Sequence, residues 1–292
     1  MDAAKKKKMM ILVVAGQSNA VGYDESPVTA EDLFMLGTGR LFQLGVHGAD
    51  NLRVMELGVC AQSYQDMRPY GNPANPGVGT KGVHLPLAHA LLAMIPEDYG
   101  ILVISCAYGG SGFTVGEYGA YDTQAMLPAP GVWRWGVQSG YYKGMKDRIA
   151  HALSLCDENR FLGVLWCQGE HDSADAAGQK AGFEAMTEDF FASFEAAFPG
   201  RVYRGGWNRG IWYNVETVGY WYAQGQCARI WENYRRWNPE TYVEIPRGTS
   251  SNEKDGTGIT AKVRAQHFGG GAYRDVVAPR IAQAMGERLK GE

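Results

Sequence analysis

Three apolar runs without alternation limit the fold more than any other feature of this sequence: MILVVA at Met10 to Ala15, GILVISC at Gly100 to Cys106 and FLGVLWC at Phe161 to Cys167. A strand with one face in water alternates apolar and polar residues. A strand covered on both faces reads as an unbroken run rich in β-branched side chains. Weaker runs follow at Arg201 to Gly206 and Thr241 to Ile245. Between them, His84 to Ile95, Tyr142 to Cys156, Ser173 to Phe198 and Val276 to Leu289 carry helical periodicity. Met145, Ile149, Leu153 and Cys156 share one helical face, Val277, Ile281, Met285 and Leu289 share another, and Ser173 reads as an N-cap. Strands alternating with helices predict an α/β fold of three layers, α/β/α, doubly wound on a mainly parallel sheet. Ligands of such sheets collect outside the carboxyl ends of the strands, so the turns that leave the strands are where chemistry is to be sought.

At 292 residues and 45% hydrophobic, the chain can bury one large core. Residues 9 to 292 are expected to form one domain, with residues 1 to 8 a solvated tail or linker remnant. Residues 22 to 83 and 108 to 140, which carry many glycines and prolines, are expected as long loops over the active edge. A net charge of −3 gives no footprint for nucleic acid. No segment approaches the roughly 20 apolar residues of a membrane span, so no membrane insertion is expected. Lys5 to Lys8 precede an apolar run too short for a secretory signal, and cleavage near Ala15 would strip the first strand from the turn it holds. A cytoplasmic location is therefore expected, with periplasmic, secreted or virion-associated placement as the alternatives. Five cysteines at scattered spacings suggest neither a disulfide framework nor a zinc site.

All three strong strands run into distinctive polar turns: GQSNAVG from Gly16, AYGGSGF from Ala107 and CQGEHDS from Cys167. In a parallel sheet these turns meet at one edge. A serine after a buried strand and before a helix, as Ser18 is, presents its hydroxyl beside backbone N–H groups without intrahelical acceptors, where an oxyanion is stabilised. Capping of the next helix is the plainer use of Ser18 and Asn19. The sequence is not the G-x-S-x-G elbow, because Ala20 takes the place of its last glycine. Gly109-Gly110-Ser111-Gly112 lets backbone approach a ligand closely but matches no phosphate-binding pattern. In the third turn, Gln168 carries an amide suited to developing negative charge. Glu170, His171 and Asp172 beside it lack a metal-ligand spacing, and no metal or organic cofactor is expected. A serine nucleophile needs a base. Of His47, His84, His89, His151, His171 and His267, the last lies where the chain returns to the sheet edge ahead of the terminal helix. His267 is the choice, with His171 second.

Taken in order and followed by a histidine near the C-terminus, GQSNAVG, AYGGS and WCQGEHD resemble the SGNH hydrolase superfamily, whose fold is flavodoxin-like. More narrowly they resemble its sialate O-acetylesterase and carbohydrate esterase branch, over Met9 to Leu289. The resemblance implies Ser18 as nucleophile, His267 as base, and an oxyanion hole from the N–H groups of Ser18 and Gly110, or Gly109 in its place, with the Gln168 side chain. Members of the superfamily commonly carry an aspartate three residues before the histidine, where this chain has Arg264. Glu170, Asp172 or Asp255 is then the candidate orienting acid, or the unit is a Ser-His dyad oriented by a carbonyl.

The implied substrate is an O-acetylated sugar, foremost an O-acetylated sialic acid. Aromatic rings pack on sugar faces and guanidinium groups meet carboxylates, so Trp133, Arg134, Trp135, Trp207 and Arg209 are candidate substrate residues, with Gln17 and Asn19 beside the nucleophile. Alternatives are another acetylated glycan, such as O-antigen or plant polysaccharide, with fusion to other domains or to a phage tail, and a sugar-binding module without catalysis. Oligomeric state is not legible from these residues.

Overall fold

The computed structural model describes residues 7–45, 52–55, 64, 79–114, 134–252 and 265–290. Strand β1 (Lys8–Gly16) leads through helix α1 (Ser18–Val21) and helix α2 (Ala30–Leu36) to β2 (Leu41–Leu44) and β3 (Leu52–Val54). Helix α3 (His84–Leu91), β4 (Tyr99–Ala107), α4 (Gly140–Ser154), β5 (Arg160–Cys167) and α5 (Ala176–Ala197) follow. The chain ends in β6 (Trp212–Val215), α6 (Cys227–Trp237), β7 (Tyr242–Val243) and α7 (Ala278–Lys290).

Among the described residues, seven strands form one sheet in the order β3-β2-β4-β1-β5-β6-β7. Every neighbouring pair is parallel except β2 with β3. Taken alone, β1, β4, β5, β6 and β7 lie in the flavodoxin-like order 2-1-3-4-5, and β2 with β3 extends that sheet at one side. The switch point of this order lies between β1 and β5, where a crevice opens at the carboxyl ends.

Residues of β1 alternate between two buried layers. Met10, Leu12 and Val14 pack with α3 and α7 through Leu87, Leu91, Ile281 and Met285. Met9, Ile11, Val13 and Ala15 pack with α4, α5 and α6 through Met145, Ile149, Phe183, Phe190 and Ile230. Burial on both faces is why the run shows no alternation. The faces expected for α4 and α7 are the buried ones, Cys156 excepted, which is half-buried.

Several local expectations are corrected. Lys8 belongs to β1 rather than to a tail, and its ammonium pairs with Asp98 at 3.1 Å and Glu158 at 2.6 Å at the amino edge. Within Arg201 to Gly206 only Val202 bridges, to Phe161, and the strand is Trp212–Val215 instead. Asp175, not Ser173, caps α5, its carboxylate accepting the Gly178 N–H. Residues 22 to 83 hold α2, β2 and β3 besides loop; Thr29 and Asp32 form a reciprocal capping box on α2.

The end of β1 requires a glycine. Gly16 has φ +129, and a Cβ there would lie 2.0 Å from the Cys167 carbonyl oxygen, because Gln17 N–H reaches that oxygen at 2.9 Å. Gly39 also has positive φ, +63, but open space around it. Gly16→Ala is expected to cost about 3 kcal/mol or more, against about 1 to 2 for Gly39→Ala; urea denaturation followed by circular dichroism checks the contrast.

Candidate active site at the carboxyl edge

At the carboxyl end of β1 the three polar turns interlock. The Gly16 carbonyl accepts the Tyr108 N–H and the Ser111 hydroxyl, each at 3.2 Å, which folds the glycine turn over β1. Gln17 presents its side-chain oxygen to the N–H groups of Gly169 at 3.4 Å and His171 at 3.1 Å. Ser18 then opens α1 at the switch point, 7% exposed. Among the described residues, the N–H groups of Ser18 and Gly110 take no backbone acceptor, and Gly110 turns left-handed with φ +72.

Asn19 makes the longest-range connection. Its amide nitrogen donates to Glu170 Oε1 at 2.9 Å and to the Gln266 carbonyl at 3.1 Å, while its oxygen accepts the Phe268 N–H at 3.2 Å. The segment on either side of His267 is thus held against the residue that follows Ser18. Three further groups fix it: Trp221 Nε1 donates to the Gln266 carbonyl at 3.0 Å, Asn252 N–H to the His267 carbonyl at 3.1 Å, and the Tyr273 hydroxyl to the Asn19 carbonyl at 3.0 Å. The His267 ring is stacked on Tyr23, with centroids 4.3 Å apart and planes 12° from parallel. The nucleophile and base expected from sequence therefore sit on adjoining segments, although 249 positions separate them. Trp221, Asn252 and Tyr23 were missed; nothing local in the sequence marks a residue whose partner is a distant carbonyl.

Gln168 is held from both ends of its amide. Its oxygen accepts from Gln179 Nε2 at 3.3 Å and the Tyr234 hydroxyl at 3.2 Å. Its nitrogen donates to Asp172 Oδ2 at 2.5 Å. Further contacts of that nitrogen, to the Ser111 carbonyl and Gln17 Oε1, are long at 3.4 and 3.5 Å, so the second N–H is weakly engaged. Asp172 also accepts from Phe113 N–H, Thr114 N–H and the Thr114 hydroxyl, the last at 2.7 Å. Asp172 is thereby corrected as an orienting acid for the histidine: its carboxylate orients Gln168 and the glycine turn. Burial raises its pKa while those donors oppose the shift.

Glu170 lies within the site, bound to Asn19. Burial pushes its pKa from 4.5 up to about 7, against the Asn19 hydrogen bond. His171 packs on the glycine turn, where a Cβ at Gly112 would come 2.6 Å from its Cδ2. Burial lowers its pKa to about 4, so the ring is neutral near pH 7.

The expected substrate residues fare unevenly. Asn19 is committed to interior hydrogen bonds rather than to a ligand, and Gln17 commits its side-chain oxygen in the same way. Trp135 is a core residue, packed on Trp166 and donating to the Ser111 hydroxyl at 2.9 Å. Trp207 and Arg209 precede β6 and so lie at the opposite, amino edge. Trp207 stacks on Phe161 and Phe194, and Arg209 donates to the Trp237 carbonyl at 3.0 Å. Arg134 stays at the active edge, its backbone bridged to Gly112. Trp133, Asp255 and Arg264 lie outside the described residues. Among the described residues, no group of three or more His, Cys, Asp or Glu side chains is arranged to hold a metal ion, and no helix is long and apolar enough to cross a membrane.

No protein-family model matches the chain. A curated protein of Escherichia coli (strain K12), described as a probable 9-O-acetyl-N-acetylneuraminic acid deacetylase, is 28% identical over 319 residues, covering 94% of each chain. The crystal structure of NanS superposes with a TM-score of 0.78 at 26% identity, covering 98% of this chain and 99% of that one. A protein from Arabidopsis thaliana has a TM-score of 0.62 at 14% identity over 97% and 99% of the two chains. A carbohydrate acetylesterase from Xanthomonas citri has a TM-score of 0.53 at 17% identity, over 97% of this chain and 57% of that one. The last two likenesses concern the fold alone.

Glu170 yields a prediction about stability. The unfolded chain releases this proton near 4.5 and the folded chain near 7, so folding takes up a proton between those values and stability falls as pH rises through the window. Glu170→Gln keeps an acceptor for Asn19 and lacks the titration. Relative to the unsubstituted protein, the variant is expected to gain as much as about 3 kcal/mol between pH 5 and pH 8, read from urea denaturation at the two pH values.

Proposed function

We propose that this chain, a carboxylic ester hydrolase that resembles the sialate O-acetylesterases along its whole length, removes O-acetyl groups from an O-acetylated sialic acid by way of an acetyl-enzyme on Ser18. The observation that carries this reading is the Asn19 side chain, whose bonds to the Gln266 carbonyl and the Phe268 N–H fasten the His267 segment beside the serine. The name of the curated relative supports a sialic acid as the sugar. Arg134, at the same edge, supplies a guanidinium for the carboxylate of such a sugar.

In this mechanism the Ser18 hydroxyl oxygen attacks the acetyl carbonyl carbon while its proton passes to His267. The carbonyl oxygen becomes an oxyanion received by the N–H groups of Ser18 and Gly110 and by the second N–H of Gln168, which Asp172 holds in place. On collapse the bond to the sugar oxygen breaks, and the imidazolium returns its proton to that oxygen. Water, deprotonated by the same imidazole, then attacks the acetyl-enzyme, and acetate leaves as Ser18 regains its proton.

Ser18→Ala is expected to abolish acetate release from O-acetylated sialic acid, with the fold intact by circular dichroism. Gln168→Ala is expected to lower kcat by roughly 100- to 1000-fold, the usual effect of removing one oxyanion donor. Acetate release that persists in Ser18→Ala overturns the reading. A panel of acetylated sugars measures the preference for the sialic acid.

A further inference from the structure

Gln17 is almost wholly enclosed, 3% exposed, at the point where β1 passes into α1. Its side chain takes no part in capping that helix. The N–H groups of Gly169 and His171 converge on one end of its amide, at 3.4 and 3.1 Å, so that end is the oxygen. Fixing the oxygen fixes the nitrogen, because the group is planar and both atoms leave one carbon. The nitrogen meets no acceptor among the described residues, and it is not sealed from solvent either. A donor that is neither bonded nor sealed, on a side chain so deeply enclosed, opens onto the crevice where the three turns meet.

The same geometry sets this nitrogen beside that of Gln168. The Gln168 nitrogen lies 3.5 Å from the Gln17 oxygen, and the oxygen and nitrogen of one amide are about 2 Å apart. The two nitrogens are therefore within about 6 Å of each other, the span across which two donors reach one oxygen at ordinary hydrogen-bond lengths. The backbone N–H groups on the Gln17 oxygen also polarise the amide and make its nitrogen a stronger donor. Its direction is set before any ligand arrives, the condition under which a donor stabilises developing charge most.

We propose that Gln17 is a further catalytic residue, its Nε2 donating to the acetyl carbonyl oxygen as that oxygen becomes an oxyanion. The inference rests on Ser18 being the nucleophile. As the Ser18 oxygen bonds to the carbonyl carbon, the π pair of the carbonyl moves onto its oxygen. The Gln17 N–H then shares that charge with the N–H groups of Ser18 and Gly110 and with Gln168. No proton is transferred, so the amide is unchanged when the oxyanion collapses. Because the contact is to the acetyl group, its effect is the same whatever alcohol the acetyl group is carried on.

The test compares Gln17→Met and Gln17→Glu with the unsubstituted chain on p-nitrophenyl acetate, which has no sugar, and on an O-acetylated sialic acid. Gln17→Glu keeps an oxygen for the Gly169 and His171 N–H groups but has no N–H to give, and Gln17→Met has neither. Both are expected to lower kcat roughly 100-fold on both substrates with KM held within about threefold, the fold being intact by circular dichroism. If Gln17→Met does not fold, Gln17→Glu decides. A kcat kept within about threefold in Gln17→Glu overturns the proposal, because the amide then serves only as an acceptor for the turn. A loss confined to the sialic acid ester overturns it too, since the nitrogen then meets the sugar. Hydrolysis that persists in Ser18→Ala sinks the serine reading and this proposal with it, whereas an inactive Ser18→Ala beside fully active Gln17 variants sinks this proposal alone.

Discussion

A single side-chain amide connects the two ends of this chain. Asn19 has two N–H groups and one oxygen, and all are used inside the protein, on Glu170, Gln266 and Phe268. Because it follows Ser18 directly, the position of the C-terminal segment is referred to the proposed nucleophile itself and not to the surface of the sheet. A buried amide with every valence satisfied is costly to disturb, since breaking one partner strands a donor or acceptor out of water. The whole edge depends on that condition. β1 must end where it does, the QGE turn must bring Glu170 within reach, and residues 266 to 268 must return over α1.

The second constraint is the backbone at Gly16, where β1 and β5 approach too closely for any side chain. That approach lets Gln17 and Gln168, at the ends of neighbouring strands, become a pair of amides that lace the turns. Gln17 receives backbone N–H groups, and Gln168 is locked between Tyr234 and Asp172. Pre-setting the direction of an amide before any ligand arrives is what electrostatic stabilisation of an oxyanion requires, because no reorganisation is then needed as charge develops. Asp172, one of the three acids that the sequence offers for the histidine beside the alternative of a dyad, is used for this purpose instead.

Legibility follows from what each residue's neighbours are. β1, β4 and β5 are readable because burial on both faces leaves an apolar run, and α4 and α7 because one face is buried and the other wet. β6 is not, since WYNV is four residues long with Asn214 in its middle, and β2 is as short. Ser18 and His267 are legible as chemistry, and the motifs carry the family resemblance. Asn19 reads as a cap or a ligand contact because its partners are about 150 and 250 residues away. Trp207 and Arg209 mislead for a related reason: an aromatic and a cation near a strand look alike at either end, and only the strand's direction tells the active edge from the opposite one.

Glu170 and Asp172 stand two residues apart, and burial raises the pKa of both, yet their surroundings differ in a way that bears on pH. Asp172 gathers two backbone N–H groups, a hydroxyl and an amide, donors that favour its charged form. Glu170 takes one amide N–H, from Asn19, and its pKa of about 7 puts its titration in the range where histidines ordinarily change charge. A protonated carboxyl group keeps an oxygen that accepts hydrogen bonds. The Asn19 contact therefore persists on either side of that titration, and with it the bonds to Gln266 and Phe268. Position and charge are in this way separated at the proposed base. The hydrogen bond that fastens the segment bearing His267 does not require either charge state of Glu170.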